Sequence, residues 1–357
     1  MRAPIQWQHR AVPVKGLRPW QRPLAYGTAA LAGFIVAVLV FNAPFWARQP
    51  EPGLLGLIAH RGVHQTYPRE GLTNDTCTAE RIEAPRHDYL ENTLHSMQAA
   101  FDAGADVVEL DVHPTTDGKL AVFHDWTIDC RTEGSGVTRE QTMAVLKSLD
   151  IGHGYTADAG ATFPFRGSGI GLMPSLDEVL DAFPDRHFLV NFKSNEAREG
   201  DLVADLVAGR PDWQERIWGA YGGDPPTYRL NDRLPGIHVW ARRGLMDCLF
   251  GYAGLGWIGH VPEACRDTMV MVPINMAPFL WGWPELFVKR MADAGSGVIL
   301  LGPYGAGDPG TAGIDALDQL AAVPAGFSGY LWTNRIELIG PELARQNPHR
   351  RASPPAL

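Results

Sequence analysis

Short apolar runs alternate with helical patterns along most of this chain, and that alternation restricts the fold more than any other feature. Candidate strands fall at 57–60, 107–112, 120–123, 188–192, 217–221, 237–240, 269–273, 298–301 and 330–333. Helical patterns fall at 91–104, 176–183, 196–208, 283–294 and 314–321. The first of these sets Leu94, Met97 and Phe101 on one face, and the second opens with a capping box of Ser175 and Glu178. Strand–helix alternation builds a parallel sheet covered by helices. The reading is a (β/α)8 TIM barrel, for which nine strands are one too many, so one is surplus to the closed sheet.

Ahead of this body, residues 24–41 (LAYGTAALAGFIVAVLVF) form an 18-residue stretch without a charge. Roughly 20 such residues cross a hydrocarbon core. Tyr26 on one side and Phe45–Trp46 on the other are placed like interface anchors. Arg2, Arg10, Lys15, Arg18 and Arg22 all precede the stretch, which holds the N-terminus in the cytoplasm and sends the body across, to the periplasmic side in a bacterium. Pro44 follows Ala43 where a cleavage site would need small residues, so the stretch reads as an uncleaved anchor. The expected organisation is a cytoplasmic basic segment 1–22, a transmembrane helix 23–46, a linker 47–54, the barrel 55–345 and a tail 346–357.

Five cations in that first segment, against a formal net charge of −9 overall, leave −14 on the rest. An acidic body excludes nucleic acid as a partner, because such binding depends on neutralising phosphates. Cys77, Cys130, Cys248 and Cys265 show no CxxC spacing and no paired histidines, against a zinc site. Outside the cytoplasm two disulfides are expected, Cys77–Cys130 and Cys248–Cys265 among the three possible pairings.

Barrel enzymes place their chemistry at the C-terminal ends of strands. His60 and Arg61 end the first strand, and Glu109 and Asp111 lie two apart on one side of the second. His124 and Asp125 follow the third, while Asn191 and Lys193 end the fourth. Four successive strands delivering polar groups to one rim is not the pattern of a solvated surface. A lone histidine there is more often structural, but two in this company point to proton transfer. His113 continues the second strand. Glu91 and Asn92 open a helix, where they would also serve as caps. His87, His153, His187, His238 and His260 read as surface or packing groups, and Trp240, Trp257, Trp281, Trp283 and Trp332 as core rather than a lipid or sugar pocket.

At these positions the sequence resembles the glycerophosphodiester phosphodiesterase family. The matching motifs are IAHRG (58–62), ENT (91–93), VELDV (108–112), DG with VFHD (117–125), RTEG (131–134), PSLDEVL (174–180) and NFK (191–193). TNRIELIGP (333–341) looks like the family's closing strand. The resemblance implies metal-dependent hydrolysis of small, lipid-derived phosphodiesters to glycerol phosphate and an alcohol, through a cyclic phosphate where a substrate hydroxyl attacks. His60 and His124 would be the acid–base pair. Arg61 and Lys193 would bind the phosphate, and Glu109, Asp111 and Asn191 a hard cation, Mg2+ or Ca2+. Glu91, Asn92 and Asp125 would support them.

Two departures qualify this. Asn191 stands where the family usually has a third carboxylate, which implies weaker metal affinity. The loop between Arg61 and Glu91 is 29 residues long and carries Cys77, so a bond to Cys130 would pin it as a cap over the site. Rival readings are a phosphodiesterase acting on lysolipid or sphingolipid, and a non-catalytic barrel weakened at Asn191. A barrel amidohydrolase would need His-x-His on the first strand, where His60 is followed by Arg61.

Overall fold

In the computed structural model the strands are β1 (Leu55–His60), β2 (Val107–Pro114), β3 (Leu120–Val122), β4 (His187–Phe192), β5 (Ile217–Gly222), β6 (His238–Ala241), β7 (Met269–Pro273), β8 (Gly297–Leu301) and β9 (Gly329–Thr333). The helices are α1 (Gln21–Phe41), α2 (Leu94–Asp102), α3 (Met143–Ser148), α4 (Leu176–Ala182), α5 (Arg198–Val207), α6 (Pro211–Arg216), α7 (Asp224–Arg233), α8 (Arg242–Leu255), α9 (Glu285–Asp293), α10 (Leu317–Ala321) and α11 (Ile336–Gln346). The structure describes residues 21–47, 55–73, 75–305 and 312–348. The basic segment up to residue 20, most of the linker and residues 349–357 of the tail lie outside the described residues.

Eight strands pair in parallel in the order β6-β5-β4-β2-β1-β9-β8-β7, and β3 pairs antiparallel with β2 off this path. β3 is therefore the surplus strand. The remaining seam, between β6 and β7, is spanned by side chains. Thr268 Oγ1 donates to Val239 O at 2.8 Å, and Trp240 Nε1 lies 3.0 Å from Met271 Sδ.

Period-two alternation divides each strand between two cores. Leu57, Ala59, Val108, Leu110 and Val112 face the helices, whereas Ile58, Val107, Leu189, Trp218, Trp240, Met271, Ile299 and Trp332 fill the barrel. Trp240 and Trp332 are core, as expected; Trp257, Trp281 and Trp283 are only half-buried. A third cluster, including Ile82, Leu90, Phe123, Leu146, Tyr155 and Met173, gives the long first loop and the segment after β3 a core of their own.

Both expected disulfides are present, and no cysteine among the described residues is free. Cys77–Cys130 joins the two segments of that cap.

Three boundaries depart from the sequence reading. α1 stops at Phe41 rather than 46, because the Asn42 side chain takes up Val38 O at 2.9 Å and Pro44 opens a 3-10 turn. Helix α2 begins at Leu94, capped by Thr93, so Glu91 and Asn92 precede it, with Asn92 left-handed at φ 57°. In the 333–341 segment only Thr333 is strand. Helix α11 follows, with Pro341 inside it.

Candidate active site

Register assembles the rim. In the parallel ladders His60 stands beside Glu109, and Asp111, Asn191 and Tyr221 form a row across β2, β4 and β5. Their parity is that of Ile58 and Val107, so they crown the barrel interior. His124 arrives differently from the strand-end reading. β2 overshoots the rim, turns, and returns as β3, with Val112 opposite Val122. Phe123 N then donates to Asp111 O at 3.0 Å, which brings His124 back to the level of Asp111. Of the four strands expected to carry His60, Glu109, Asp111, His124 and Asn191, three are barrel strands and one is a returning hairpin strand.

Past β1 the backbone turns through two left-handed residues, Arg61 at φ 57° and Gly62 at φ 79°. The first is a costly conformation for a side-chain-bearing residue. A Cβ on Gly62 would meet Ser96 at 2.6 Å, so the tight turn also requires glycine there. The turn lays the Arg61 side chain across the rim. Nη1 donates to Glu91 Oε1 at 3.0 Å, and Nε makes an unaligned ion contact with Asp111 Oδ2 at 3.2 Å.

Asp111 is the hub. Its Oδ1 receives Asn191 Nδ2 at 2.9 Å and faces Lys193 Nζ at 3.3 Å, while Oδ2 receives Asn92 Nδ2 at 3.0 Å. Burial opposes its charge, but Lys193 and Arg61 overcome this and hold Asp111 well below the usual carboxylate range. Glu109 has less support. It accepts from Tyr221 OH at 2.9 Å and Arg61 N–H at 3.1 Å, and burial together with Asp111 pushes its carboxyl pKa the other way, up to about 8. Two fully buried carboxylates, one left without a full cationic partner, suit a hard divalent cation. Among the described residues no third acid, histidine or cysteine joins them, and Asn191 turns its amide nitrogen, not its oxygen, to Asp111.

Each histidine is held at Nδ1. His60 Nδ1 lies 2.6 Å from Asn334 Oδ1, and Asn334 Nδ2 donates to Asp315 Oδ2 at 2.8 Å. That second bond fixes the amide so that its oxygen faces the ring. His60 Nε2 is 3.8 Å from Glu109 Oε2. His124 Nδ1 lies 2.6 Å from Asp125 Oδ1, and Arg131 Nε donates to Asp125 Oδ2 at 2.8 Å. Burial and Arg61 lower both histidines, His60 further; the Asp125 carboxylate pulls His124 upward.

All the residues singled out from the sequence on this rim are therefore brought together, including Glu91, Asn92 and Asp125. His113 faces inward behind His124, with Nε2 3.4 Å from His124 O. Arg131, Asn334, Tyr221 and Asp315 received no role from the sequence. Asn334 ends the last strand and could have been found by the same strand-end rule. Arg131 opens the RTEG motif (131–134), but nothing local reveals its reach to Glu91. His64, buried edge-on to His60 with ring centroids 6.0 Å apart, was also missed.

Residues 60–214 match the family model described as "Glycerophosphoryl diester phosphodiesterase family". Among curated relatives, a glycerophosphodiester phosphodiesterase of Caldanaerobacter subterraneus subsp. tengcongensis is 39% identical over 103 residues, 29% of this chain and 39% of that protein. One from Bacillus subtilis is 35% identical over 123 residues, covering 32% and 41% respectively. The chain thus spans about two fifths of the length of these relatives. A glycerophosphoryl diester phosphodiesterase domain from Mycobacterium tuberculosis superposes with a TM-score of 0.54 at 16% identity, over 81% of this chain and 98% of that one. An Oleispira antarctica phosphodiesterase, solved with the product sn-glycerol-3-phosphate, gives 0.50 at 18%, over 82% and 96%. At such identities the structural likeness establishes the barrel fold.

Proposed function

We propose that this chain is a phosphoric diester hydrolase of the glycerophosphoryl diester phosphodiesterase family, whose model residues 60–214 match, and that it hydrolyses glycerophosphodiesters, releasing glycerol phosphate and an alcohol. The observation that carries the reading is that both histidines are tied back through Nδ1 around one cluster of phosphate-binding cations, which leaves Nε2 of each for the substrate.

The two tethers differ, and the difference supports one division of roles. Asn334 Oδ1 accepts Nδ1–H of a neutral ring, so His60 Nε2 carries a lone pair and is the base. Asp125 stabilises an imidazolium, so His124 is the acid. Arg61 and Lys193 hold the phosphoryl oxygens and offset the charge that develops on them. His60 takes the proton of the attacking hydroxyl as its oxygen bonds to phosphorus. The leaving P–O bond breaks, and His124 gives the alkoxide its proton. Where a substrate hydroxyl attacks, a cyclic phosphate forms, and water opens it with the two histidines exchanging roles.

Glu109 and Asp111 would hold Mg2+ or Ca2+, and Asn191 would join them through Oδ1. Such a cation supplies positive charge to the phosphoryl oxygens. Helix α1 is apolar over 23–41 and exposed along its length, and we read it as a bilayer anchor with the barrel outside the cytoplasm, where two disulfides persist.

Turnover of glycerophosphocholine by the purified protein, abolished by His60→Ala and by His124→Ala, is the expected result. Activity confined to lysolipids, or none on any phosphodiester, would overturn the assignment.

A further inference from the structure

Two long segments of the barrel carry no charged side chain. Residues 248–262 (CLFGYAGLGWIGHVP) run from the middle of α8 to the turn before β7, and residues 268–284 (TMVMVPINMAPFLWGWP) from β7 to the start of α9. Burial accounts for only part of their apolar content. Phe250 is 69% exposed, Ile258 52% and Phe279 78%, with Leu255 and Met276 also exposed. The two segments pack on each other through Trp281, whose Nε1 donates to Ala253 O at 2.9 Å and whose carbonyl accepts from Tyr252 OH at 2.8 Å. The segments therefore adjoin one another, and the large apolar side chains they leave exposed are of the kind that marks an interaction surface when they gather in a patch.

The foot of α1 is fastened to this same surface. Asn42 Nδ2 donates to Trp257 O at 3.0 Å, and Arg290 Nη1 donates to Asn42 Oδ1, Tyr252 OH and Gly256 O at 2.9–3.0 Å. Arg290 also lies over the Phe41 ring, so its charge is engaged inside the joint rather than offered to solvent. Higher up, the Phe34 ring meets Trp257 edge-on at 5.7 Å between centroids. Phe34 precedes the last residue of the helix by seven positions, about 10 Å of axial rise. The loop at Trp257 therefore reaches about 10 Å along the apolar helix from its end. A helix that lies in hydrocarbon carries that loop into the membrane with it. Phe45 and Trp46, both exposed just beyond the helix, extend the apolar surface at its rim.

We propose that the face bearing Phe250, Ile258, Phe279 and Trp257 is seated in the bilayer interface, so that the barrel lies on the membrane rather than hanging from its anchor by a linker. The occupant is the lipid surface. The patch is continuous with a helix that is apolar over Pro23–Phe41, and among the described residues the cation at the joint, Arg290, is engaged within it. Large aromatic residues at the boundary are what such an interface selects. The inference rests on reading α1 as a bilayer anchor and is independent of the phosphodiesterase assignment.

The native cysteines are paired, so single cysteines introduced into the full chain can be labelled with the environment-sensitive fluorophore NBD. The sites are Phe250→Cys, Ile258→Cys and Phe279→Cys, with Val36→Cys reporting α1 and exposed Ile170→Cys as the aqueous control. Proteins melting at the parent temperature are reconstituted in phosphatidylcholine–phosphatidylglycerol vesicles. Expected is a blue shift with a several-fold rise in emission at the three patch sites and at 36, and quenching there by lipid-borne nitroxide, with position 170 unchanged. Lipid signals at 36 alone would overturn the seating and leave the anchor. Lipid signals at the patch alone would support the seating without a span. Aqueous signals at all sites would overturn both, and phosphodiesterase activity, assayed separately, would be untouched by either result.

Discussion

Arg131 and Asp125 link the cap to the proposed acid–base pair: Nε donates to Oδ2 at 2.8 Å while Asp125 holds His124 by its other oxygen. The same guanidinium reaches Glu91 Oε1 at 3.2 Å, and Glu91 in turn holds Arg61. One buried cation thus steadies both the proposed acid and the proposed phosphate-binding arginine. Burial alone would raise Asp125 and Glu91, yet Arg131 holds both carboxyls below their ordinary range.

Removal of that cation takes a shared partner from two largely buried carboxylates, Asp125 and Glu91. Arg131→Met is expected to cost about 3–5 kcal/mol of folding stability, the scale for breaking a buried charge pair, and to abolish measurable turnover. Arg131→Lys restores charge but not the planar fork, so it recovers part of the stability and little of kcat. Urea denaturation beside steady-state kinetics reads both, and a lysine variant equal to the parent in both would refute the clamp.

The disulfides should separate in their effects. Cys77 and Cys130 adjoin Thr78 and Arg131, which are themselves bonded at 2.8 Å, and the bridge closes 53 residues of chain. Cys248–Cys265 closes 17 residues within the apolar face. Replacing either pair by serine should lower stability by about 2–4 kcal/mol. Only loss of Cys77–Cys130 should also depress kcat, because only it borders the clamp. Equal kcat in the two double variants would remove the coupling of cap to site.

Asn334 makes the role of His60 testable by pH. Burial and Arg61 lower the ring's pKa, which keeps it neutral and able to accept a proton. Asn334→Asp puts a carboxylate against Nδ1, favours the imidazolium and raises that pKa. The acid limb of kcat/KM should therefore move to higher pH. Asn334→Ala loses the tautomer hold, lowering kcat without moving the limb upward. An unshifted limb in the aspartate variant would count against His60 as the base.

Much of this site was legible because a parallel barrel ties strand ends to one rim: His60, Glu109, Asp111 and Asn191 needed only period-two alternation. His124 was found for an incomplete reason. Its strand looked like the others, since three apolar residues carry no mark of direction, and only the pairing of Val112 with Val122 reveals the hairpin. Glu91 and Asn92 read as helix because their polarity suits a first turn. The left-handed Asn92, which lets its amide grip Asp111, depends on tertiary contacts. Arg131 and Asn334 act over 40 and 274 residues of chain, on Glu91 and His60, a separation that no local pattern encodes.

Asn191 carries the sharpest prediction about the cation. Its amide nitrogen, 2.9 Å from Asp111 Oδ1, stabilises that carboxylate directly. Asn191→Glu exchanges this donor for a negative charge. Without metal, three carboxylates then share one buried rim, so the thermal midpoint should fall. With Mg2+ or Ca2+ present the added charge favours the cation, and hard-cation affinity follows the number of charged ligands. Titration of chelator-treated protein should show tighter binding by about tenfold or more for the glutamate variant, with the lost midpoint recovered on saturation. Unchanged affinity together with a lowered midpoint would place Asn191 as a support of Asp111 alone, outside the cation's ligand set.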